Sequence, residues 1–238
     1  MRALVIEHDH ADPAGLIGGR LADHRYDVTV FRVVPPDRYR DPGVTVTFPD
    51  PAGYDVIAAM GAPWSVTDPR IASWLGPELG LLRGAHARGI PVLGVCFGGQ
   101  ALAAALGGTV IRAGTPEIGW YWIRTADPEL VPAGPWFQCH YDRWTWPAGA
   151  RRVAASAACP QAFTLGRSLA VQFHPEASPD VVRLWLDNGG YEEFAAAGID
   201  AAAVLAETRA RAGPAAARGR QLVDRFLSRA GRAVPAPA

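Results

Sequence analysis

The chain has 238 residues, of which 49% are hydrophobic, and its 23 basic residues are balanced by 23 acidic ones. This length and apolar content predict one well-buried domain, and the balanced charge gives no sign of a nucleic-acid or membrane partner. All of the basic residues are arginine, which we interpret as a bias of genomic composition rather than a sign of function. The three cysteines show no metal-ligand spacing, so neither a metal nor a cofactor is expected.

The first part of the chain alternates between predicted strands and predicted helices, the order that builds a parallel sheet. Strands are predicted at residues 3–7, 28–33 and 56–60, helices at 15–24 and 70–88, and a loop at 35–51. The first strand is not preceded by the apolar stretch of a signal peptide, and no segment reaches membrane-spanning length. The sequence therefore predicts a cytoplasmic α/β protein with an open, mostly parallel twisted sheet flanked by helices.

A strand–turn–helix motif centred on Cys96 follows. Residues 90–95 predict a buried strand and residues 100–106 a helix, and Gly94-Val95-Cys96-Phe97-Gly98 lies between them like a nucleophile elbow with cysteine in place of serine. The two glycines leave room around a nucleophile on a tight turn, and the N-terminus of the following helix favours negative charge on the sulfur. A buried structural cysteine among glycines is the alternative interpretation.

A sulfur nucleophile needs a proton carrier, and His174 is the best-placed histidine. Residues 169–174 predict a short strand that Pro175 ends, so His174 should lie at the carboxyl edge of the sheet, where the Cys96 turn also emerges. Glu176 could accept the imidazole N–H and fix its tautomer. A plain His-Pro turn with a solvated glutamate is the alternative, and His140 is a weaker candidate. The remaining histidines are expected in loops or on polar helix faces: His8, His10, His24 and His86.

Shorter elements are predicted in the rest of the chain. Strands at residues 109–112, 119–124, 151–156 and 162–165 suggest an antiparallel extension, and helices are predicted at 180–188, 200–211 and 215–230. Gly213-Pro214 should separate the last two helices. Residues 1–190 are predicted to form the main domain, 191–232 a helical extension packed on it, and 233–238 a disordered tail.

Several ordered motifs together resemble the class I (triad) glutamine amidotransferase family, which has a flavodoxin-like fold. The two catalytic blocks of that family are similar to Gly94-x-Cys96-x-Gly98-x-Gln100 and Gln172-Phe173-His174-Pro175-Glu176. The family's Gly-Gly-Pro-x-Ser loop is similar to Met60-Gly61-Ala62-Pro63-Trp64-Ser65. Blocks of the stand-alone, GMP-synthase-like members are similar to Glu117-Ile118-Gly119-Trp120 and Cys139-His140-Tyr141-Asp142.

The resemblance implies a catalytic triad. Cys96 would attack the side-chain amide carbon of glutamine and form a γ-glutamyl thioester. His174 would protonate the departing ammonia and then activate water, and Glu176 would orient His174. Removing Cys96 or His174 should therefore abolish turnover.

The resemblance also implies an oxyanion hole made of two backbone N–H groups. One belongs to Phe97 and the other to Gly61 or Ala62, because Pro63 has no N–H. Alanine at position 62 departs from the family's second glycine. If that position requires a positive φ, the alanine costs about 1 kcal/mol or more.

Substrate binding is implied for Gln100 on the helix after Cys96 and for a loop formed by His140, Tyr141 and Asp142. The nearest members of the family have His-Gly-Asp in this loop, so Tyr141 is expected to change the shape of the pocket. Gln100 could instead be an exposed polar residue of a helix.

Three functions remain open from the sequence. The first is a glutaminase that releases ammonia for a separate ATP-dependent synthetase, since the chain carries the triad motifs but no Gly-rich phosphate loop. The second is a stand-alone γ-glutamyl hydrolase or peptidase, and the third a non-catalytic binding module of the same fold. The expected ligand is glutamine or a γ-glutamyl compound.

Overall fold

The elements below come from a computed structural model of the chain that describes residues 1–231. The strands are β1 (Arg2–Glu7), β2 (Asp27–Arg32), β3 (Val56–Ala59), β4 (Val92–Val95), β5 (Val110–Thr125), β6 (Gly134–Trp144), β7 (Arg151–Ala155), β8 (Pro160–Leu165) and β9 (Ser168–Val171). The α-helices are α1 (Gly15–Asp23), α2 (Ala72–Ala87), α3 (Phe97–Ala105), α4 (Pro179–Trp185), α5 (Tyr191–Ala196) and α6 (Ala201–Ala230). The predicted tail at 233–238 lies outside the described residues.

The strands form one sheet in the order β2-β1-β3-β4-β9-β8-β7-β5-β6. The strands from β2 to β9 in this order pair in parallel, and those from β9 to β6 pair antiparallel. The predicted fold class, an open α/β sheet flanked by helices with an antiparallel extension, is confirmed.

Helices cover both faces of the parallel half, which is why its central strands are continuous apolar runs, whereas the edge strand β2 has no fully buried position. Strands β3, β4 and β9 are buried at every position. One face packs on α1 and α6 through Ile17, Leu21 and Phe226. The other face packs on α2 and α3 through Trp74, Leu82 and Leu102.

The antiparallel half differs from the prediction. Residues 109–112 and 119–124 belong to one long strand, β5, whose pairing with β6 shifts register between Arg112 and Glu117. Strand β6 was not predicted, because polar and turn-forming residues occupy many of its positions. Most of its positions are nevertheless buried, because its polar side chains form hydrogen bonds with partners inside the protein. The predicted substrate loop at 140–142 is therefore wrong, since these residues lie in β6.

The C-terminal region also differs. The predicted break at Gly213-Pro214 is wrong, because α6 continues through Pro214 as one helix of 30 residues. A proline inside a helix removes one hydrogen bond and crowds the preceding turn. Here buried contacts on both sides of it, including Leu205 and Phe226, hold the helix on the domain. Helix α5 was missed because it has only 6 residues. Within residues 1–231, no helix is both long enough and apolar enough to cross a bilayer.

Candidate active site

Cys96 lies on a strained turn between β4 and α3. Its φ is 49° and its ψ is −108°, a conformation that non-glycine residues rarely adopt and that clusters at functional sites. The flanking glycines allow the turn: a Cβ on Gly94 would lie 2.5 Å from Gly98 O, and one on Gly98 would lie 2.1 Å from Ala59 O. The thiol is only 5% exposed. The predicted elbow geometry is present.

His174 lies beside Cys96 because their strands are neighbours in the sheet. Val95 of β4 pairs with Val171 of β9, and the N–H of Cys96 donates to Val171 O at 2.8 Å. Three residues beyond Val171, His174 lines the same cavity as Cys96. The structure thus brings the two predicted residues together at the carboxyl edge of the parallel strands.

A carboxylate fixes the orientation of the His174 ring. Its Nδ1 lies 2.6 Å from Oε1 of Glu176, and both side chains are buried. An ionised carboxylate only accepts hydrogen bonds, so Nδ1 carries the proton and Nε2 is left for proton transfer. Among the described residues, Nε2 of His174 has no hydrogen-bond partner. Burial lowers the pKa of His174, but the Cys96 sulfur and Glu176 raise it more, so the net pKa lies well above its usual value.

The loop after β3 faces the turn that carries Cys96. Gly98 N–H donates to Met60 O at 2.9 Å, which ties the loop to the start of α3. Within residues 1–231, the N–H groups of Phe97 and Ala62 donate no hydrogen bond. Ala62 is not among the residues with positive φ, so alanine fits this position without backbone strain. Gly61 is required for a different reason, since a Cβ there would lie 1.8 Å from Oδ2 of Asp12.

Asp12 is a member of the site that the sequence analysis missed. One carboxylate oxygen of Asp12, one ring nitrogen of His174 and one carboxylate oxygen of Glu176 all lie within 4.8 Å of one another. Burial, and then the charge of Glu176, raise the pKa of Asp12 to about 8. Asp12 therefore keeps its proton at neutral pH. No motif marks Asp12 in the sequence, because it lies in the turn after β1 and reaches the site only in the folded chain.

Gln100 is buried instead of exposed on its helix. Its Nε2 lies 3.3 Å from both Asp142 O and Gln172 Oε1, and Nε2 of Gln172 lies 3.6 Å from the Cys96 sulfur. Gln100, Tyr141 and Asp142 line the cavity with Cys96. The Tyr141 ring also stacks under the guanidinium of Arg112, 4.4 Å from the ring centre. The predicted binding residues thus surround the cavity, although they lie on a strand and a helix.

His140 is held inside a buried network. Its Nδ1 faces Asp142 O at 3.1 Å, and its Nε2 faces Gln138 Oε1 at 3.1 Å and Glu117 Oε2 at 3.2 Å. Gln161 donates to Glu117 at 2.8 Å and accepts from Gln138 at 2.8 Å, which fixes both amides. All three groups that face the imidazole are oxygen acceptors, and they hold the ring in place inside the protein. Burial raises the pKa of Glu117, but its bond to His140 and those to Cys159 and Ser156 lower it overall.

His8 lies in the turn after β1, outside any helix or strand, as predicted, but its burial was not foreseen. Its side chain is fully buried and bonds Gly61 O and Glu78 Oε1. Local sequence gave no sign of this, because both partners are more than 50 residues away in the chain.

The cavity that contains Cys96 and His174 has a volume of about 190 Å³. A larger depression of about 980 Å³ lies at the opposite edge of the sheet, beside the start of β9 and the end of α6. None of the predicted site residues lines that depression. The predicted site residues that line a cavity therefore all line the smaller one.

Comparison with protein families matches residues 20–186 to the family described as glutamine amidotransferase class-I. The chain belongs to this family, in agreement with the strand–turn–helix motif, the sheet order and the residues at the cavity. A solved glutamine amidotransferase from Methylobacillus flagellatus is 27% identical, with a TM-score of 0.82 over 96% of this chain and 94% of that one. A glutamine amidotransferase from Thermotoga maritima, 24% identical, has the same fold with a TM-score of 0.82 over 95% of this chain and 98% of that one.

Curated relatives are named GMP synthase [glutamine-hydrolyzing]. The protein from Parafrankia sp. is 39% identical over 126 residues, which are 49% of this chain and 22% of the relative. The protein from Mycobacterium tuberculosis is 42% identical over 96 residues, 37% of this chain and 18% of the relative. The chain thus matches only about a fifth of the length of these relatives.

Proposed function

We propose that the chain hydrolyses the side-chain amide of glutamine and releases ammonia, with Cys96 as the nucleophile. The observation that carries this proposal is the arrangement at one cavity: a buried thiol on a strained turn, and a histidine whose Nδ1 is bonded to a carboxylate at 2.6 Å. A buried structural cysteine has no need of such a turn or of an oriented imidazole beside it.

The reaction proceeds in two halves. The Cys96 thiol gives its proton to Nε2 of His174 and its sulfur attacks the amide carbon, so that a C–S bond forms and the carbonyl electron pair moves to oxygen. When the intermediate collapses, the C–N bond breaks and Nε2 of His174 gives its proton to the leaving ammonia. Water then loses a proton to Nε2 and attacks the thioester, the C–S bond breaks, and glutamate leaves. Glu176 holds the ring in the required tautomer throughout.

The negative oxygen of each intermediate is stabilised by backbone N–H groups. Phe97 N–H lies at the start of α3, where the helix dipole also favours negative charge. The loop at Gly61 and Ala62 supplies the second donor. Support comes from the absence, among residues 1–231, of any acceptor for the N–H groups of Phe97 and Ala62.

The size of the cavity favours a small substrate. Pockets for drug-sized ligands usually measure about 300–1,000 Å³, whereas this cavity measures about 190 Å³. Gln100, Tyr141 and Asp142 would contact the amino-acid end of glutamine. Because both ring nitrogens of His140 are engaged, this residue would support the wall through Asp142 O and Glu117.

Ammonia would pass to a separate synthase. The names of the relatives support a synthase as the acceptor of the ammonia, because they are called glutamine-hydrolysing GMP synthases. We propose an ATP-dependent synthetase as the class of this partner.

The test measures ammonia and glutamate released from glutamine and from γ-glutamyl dipeptides, with and without extract of the source cells. Glutamine turnover that disappears in Cys96→Ala, but persists in the matched control Cys139→Ala, is expected. Turnover of the dipeptides alone would instead favour a stand-alone γ-glutamyl hydrolase. No turnover of either substrate, together with a Cys96 that iodoacetamide does not label, would contradict the enzymatic proposal.

A further inference from the structure

His8 is a buried histidine at the carboxyl end of β1 to which the proposed chemistry gives no role. Its Nδ1 lies 2.9 Å from Gly61 O and its Nε2 lies 2.9 Å from Oε1 of Glu78 on α2. A carbonyl oxygen only accepts hydrogen bonds, so Nδ1 is the donor in the bond to Gly61. The ring thus ties the carbonyl of the loop after β3 to the body of the domain.

Because His8 fixes the direction of the Gly61 carbonyl, it also fixes the direction of the N–H of the next residue, Ala62. A trans peptide is planar, with its C=O and N–H pointing in opposite directions, and no cis peptide bond occurs within residues 1–231. The carbonyl of Gly61 points at His8, so the N–H of Ala62 points away from it. Ala62 lines the cavity with Cys96, whereas Gly61 is not part of the cavity wall.

The His8 ring also touches the other half of the proposed oxyanion hole. Its centre lies 4.6 Å from that of the Phe97 ring, in an edge-to-face contact, and 5.8 Å from that of Trp74. Phe97 carries the first N–H donor. One buried side chain therefore contacts both segments that supply donors, by a hydrogen bond on one side and by packing on the other.

We propose that His8 is a positioning residue, which holds the Gly61 carbonyl so that the N–H of Ala62 points at the oxygen of the tetrahedral intermediate. This inference rests on the proposed function and selects Ala62 over Gly61 as the second donor. Burial lowers the pKa of His8, but Glu78 and the bond to Gly61 O raise it more, so its net pKa lies above the usual value.

Two amide substitutions separate the two contacts of the ring. In His8→Asn the side-chain amide reaches the position of Nδ1 and can still donate to Gly61 O. In His8→Gln the amide reaches the position of Nε2, so the contact to Glu78 is kept and the one to Gly61 is lost. His8→Phe removes both contacts at similar ring size. His24→Phe serves as the control, because His24 lies at the far end of α1 beside Asp224.

Three quantities are measured for each variant: kcat and KM for glutamine, the rate of Cys96 alkylation by iodoacetamide, and the affinity for the γ-aldehyde analogue of glutamine. Loss of one oxyanion donor lowers kcat by about 10²–10³-fold. We expect a decrease of this order in His8→Phe and His8→Gln, recovery of at least about tenfold in His8→Asn, and no change in His24→Phe. The aldehyde forms a tetrahedral adduct, so its affinity should fall with kcat/KM. Alkylation forms no oxyanion, so its rate should stay near wild type.

Equal losses of alkylation and turnover, or equal activity of His8→Asn and His8→Gln, would overturn the inference and leave His8 as a structural residue. If the wild-type chain hydrolyses no γ-glutamyl amide, the proposed function fails instead. In that case crystal structures still decide the role of His8: the Gly61–Ala62 peptide should be reoriented in His8→Gln and unchanged in His8→Asn. An unchanged peptide in both would refute the inference independently of activity.

Discussion

Replacing Glu176 by glutamine tests whether a carboxylate holds His174 for proton transfer. The substitution keeps the size of the side chain and removes its charge. It acts on the bond of 2.6 Å between Nδ1 of His174 and Oε1 of Glu176, in a region where both residues are at most 5% exposed. Because both side chains are buried, solvent screens this pair little, and its loss should destabilise the imidazolium that forms during catalysis.

The size of the effect follows from the kind of hydrogen bond. A bond to a charged group contributes about 1.5–3 kcal/mol, and each 1.36 kcal/mol corresponds to tenfold in rate. We therefore expect kcat/KM of Glu176→Gln to fall by about ten- to hundredfold. Glu176 is also one of the groups that raise the pKa of His174. Its loss lowers that pKa, so the imidazolium that protonates ammonia disappears at a lower pH.

The assay is kcat/KM for glutamine hydrolysis between about pH 5 and pH 10, followed as glutamate released. The alkaline limb of the profile should move to lower pH in Glu176→Gln. Glu192→Gln is the control, because Glu192 is an exposed carboxylate on α5 outside the cavity. An unchanged rate and an unchanged alkaline limb would refute the assignment of Glu176 as the group that orients His174.

Five further substitutions follow from the geometry. Cys96→Ser and His174→Ala should each lose nearly all glutamine turnover while thermal unfolding stays close to wild type; activity above one per cent would refute the assigned role. Gly98→Ala should destabilise the fold by about 1–3 kcal/mol or more, since its Cβ would lie 2.1 Å from the backbone of β3. By contrast, Gly80→Ala, with no atom within 4 Å of its Cβ, should stabilise α2 by up to about 1 kcal/mol in urea denaturation. For Asp12→Asn, stability relative to wild type should rise from pH 4 to pH 8; a constant difference would contradict a protonated Asp12. The sign follows because the unfolded Asp12 loses its proton near 3.8 and the folded one near 8, so wild-type stability falls across this window.

The parallel half of the fold could be predicted because its signals are local. Each strand is a short apolar run, and each helix is bounded by glycine, proline or polar residues. The antiparallel half could not, because β6 is held by contacts distant in the chain, such as those of Gln138 with Gln161. Helix α6 shows the opposite case, in which packing on both sides overrides a local helix breaker, Pro214.

The distinction between local sequence signals and contacts that are distant in the chain also applies to the site. Cys96, His174 and Glu176 carry recognisable motifs, and their catalytic roles stay a prediction. The structure brings Cys96 and His174 to one cavity and bonds Glu176 to His174. Asp12 and His8 carry no motif of their own. They became visible only when the chain placed them against Gly61, about 50 residues away in sequence. Buried polar partners of this kind are defined by the fold, so a single sequence does not reveal them.

The most direct test of the central claim is to stop glutamine turnover with acid and to map the bound γ-glutamyl group by peptide mass spectrometry. The label should lie on the peptide that contains Cys96 and should be absent from Cys96→Ala. A label on Cys139 or Cys159, or glutamine hydrolysis at the wild-type rate by Cys96→Ala, would contradict it.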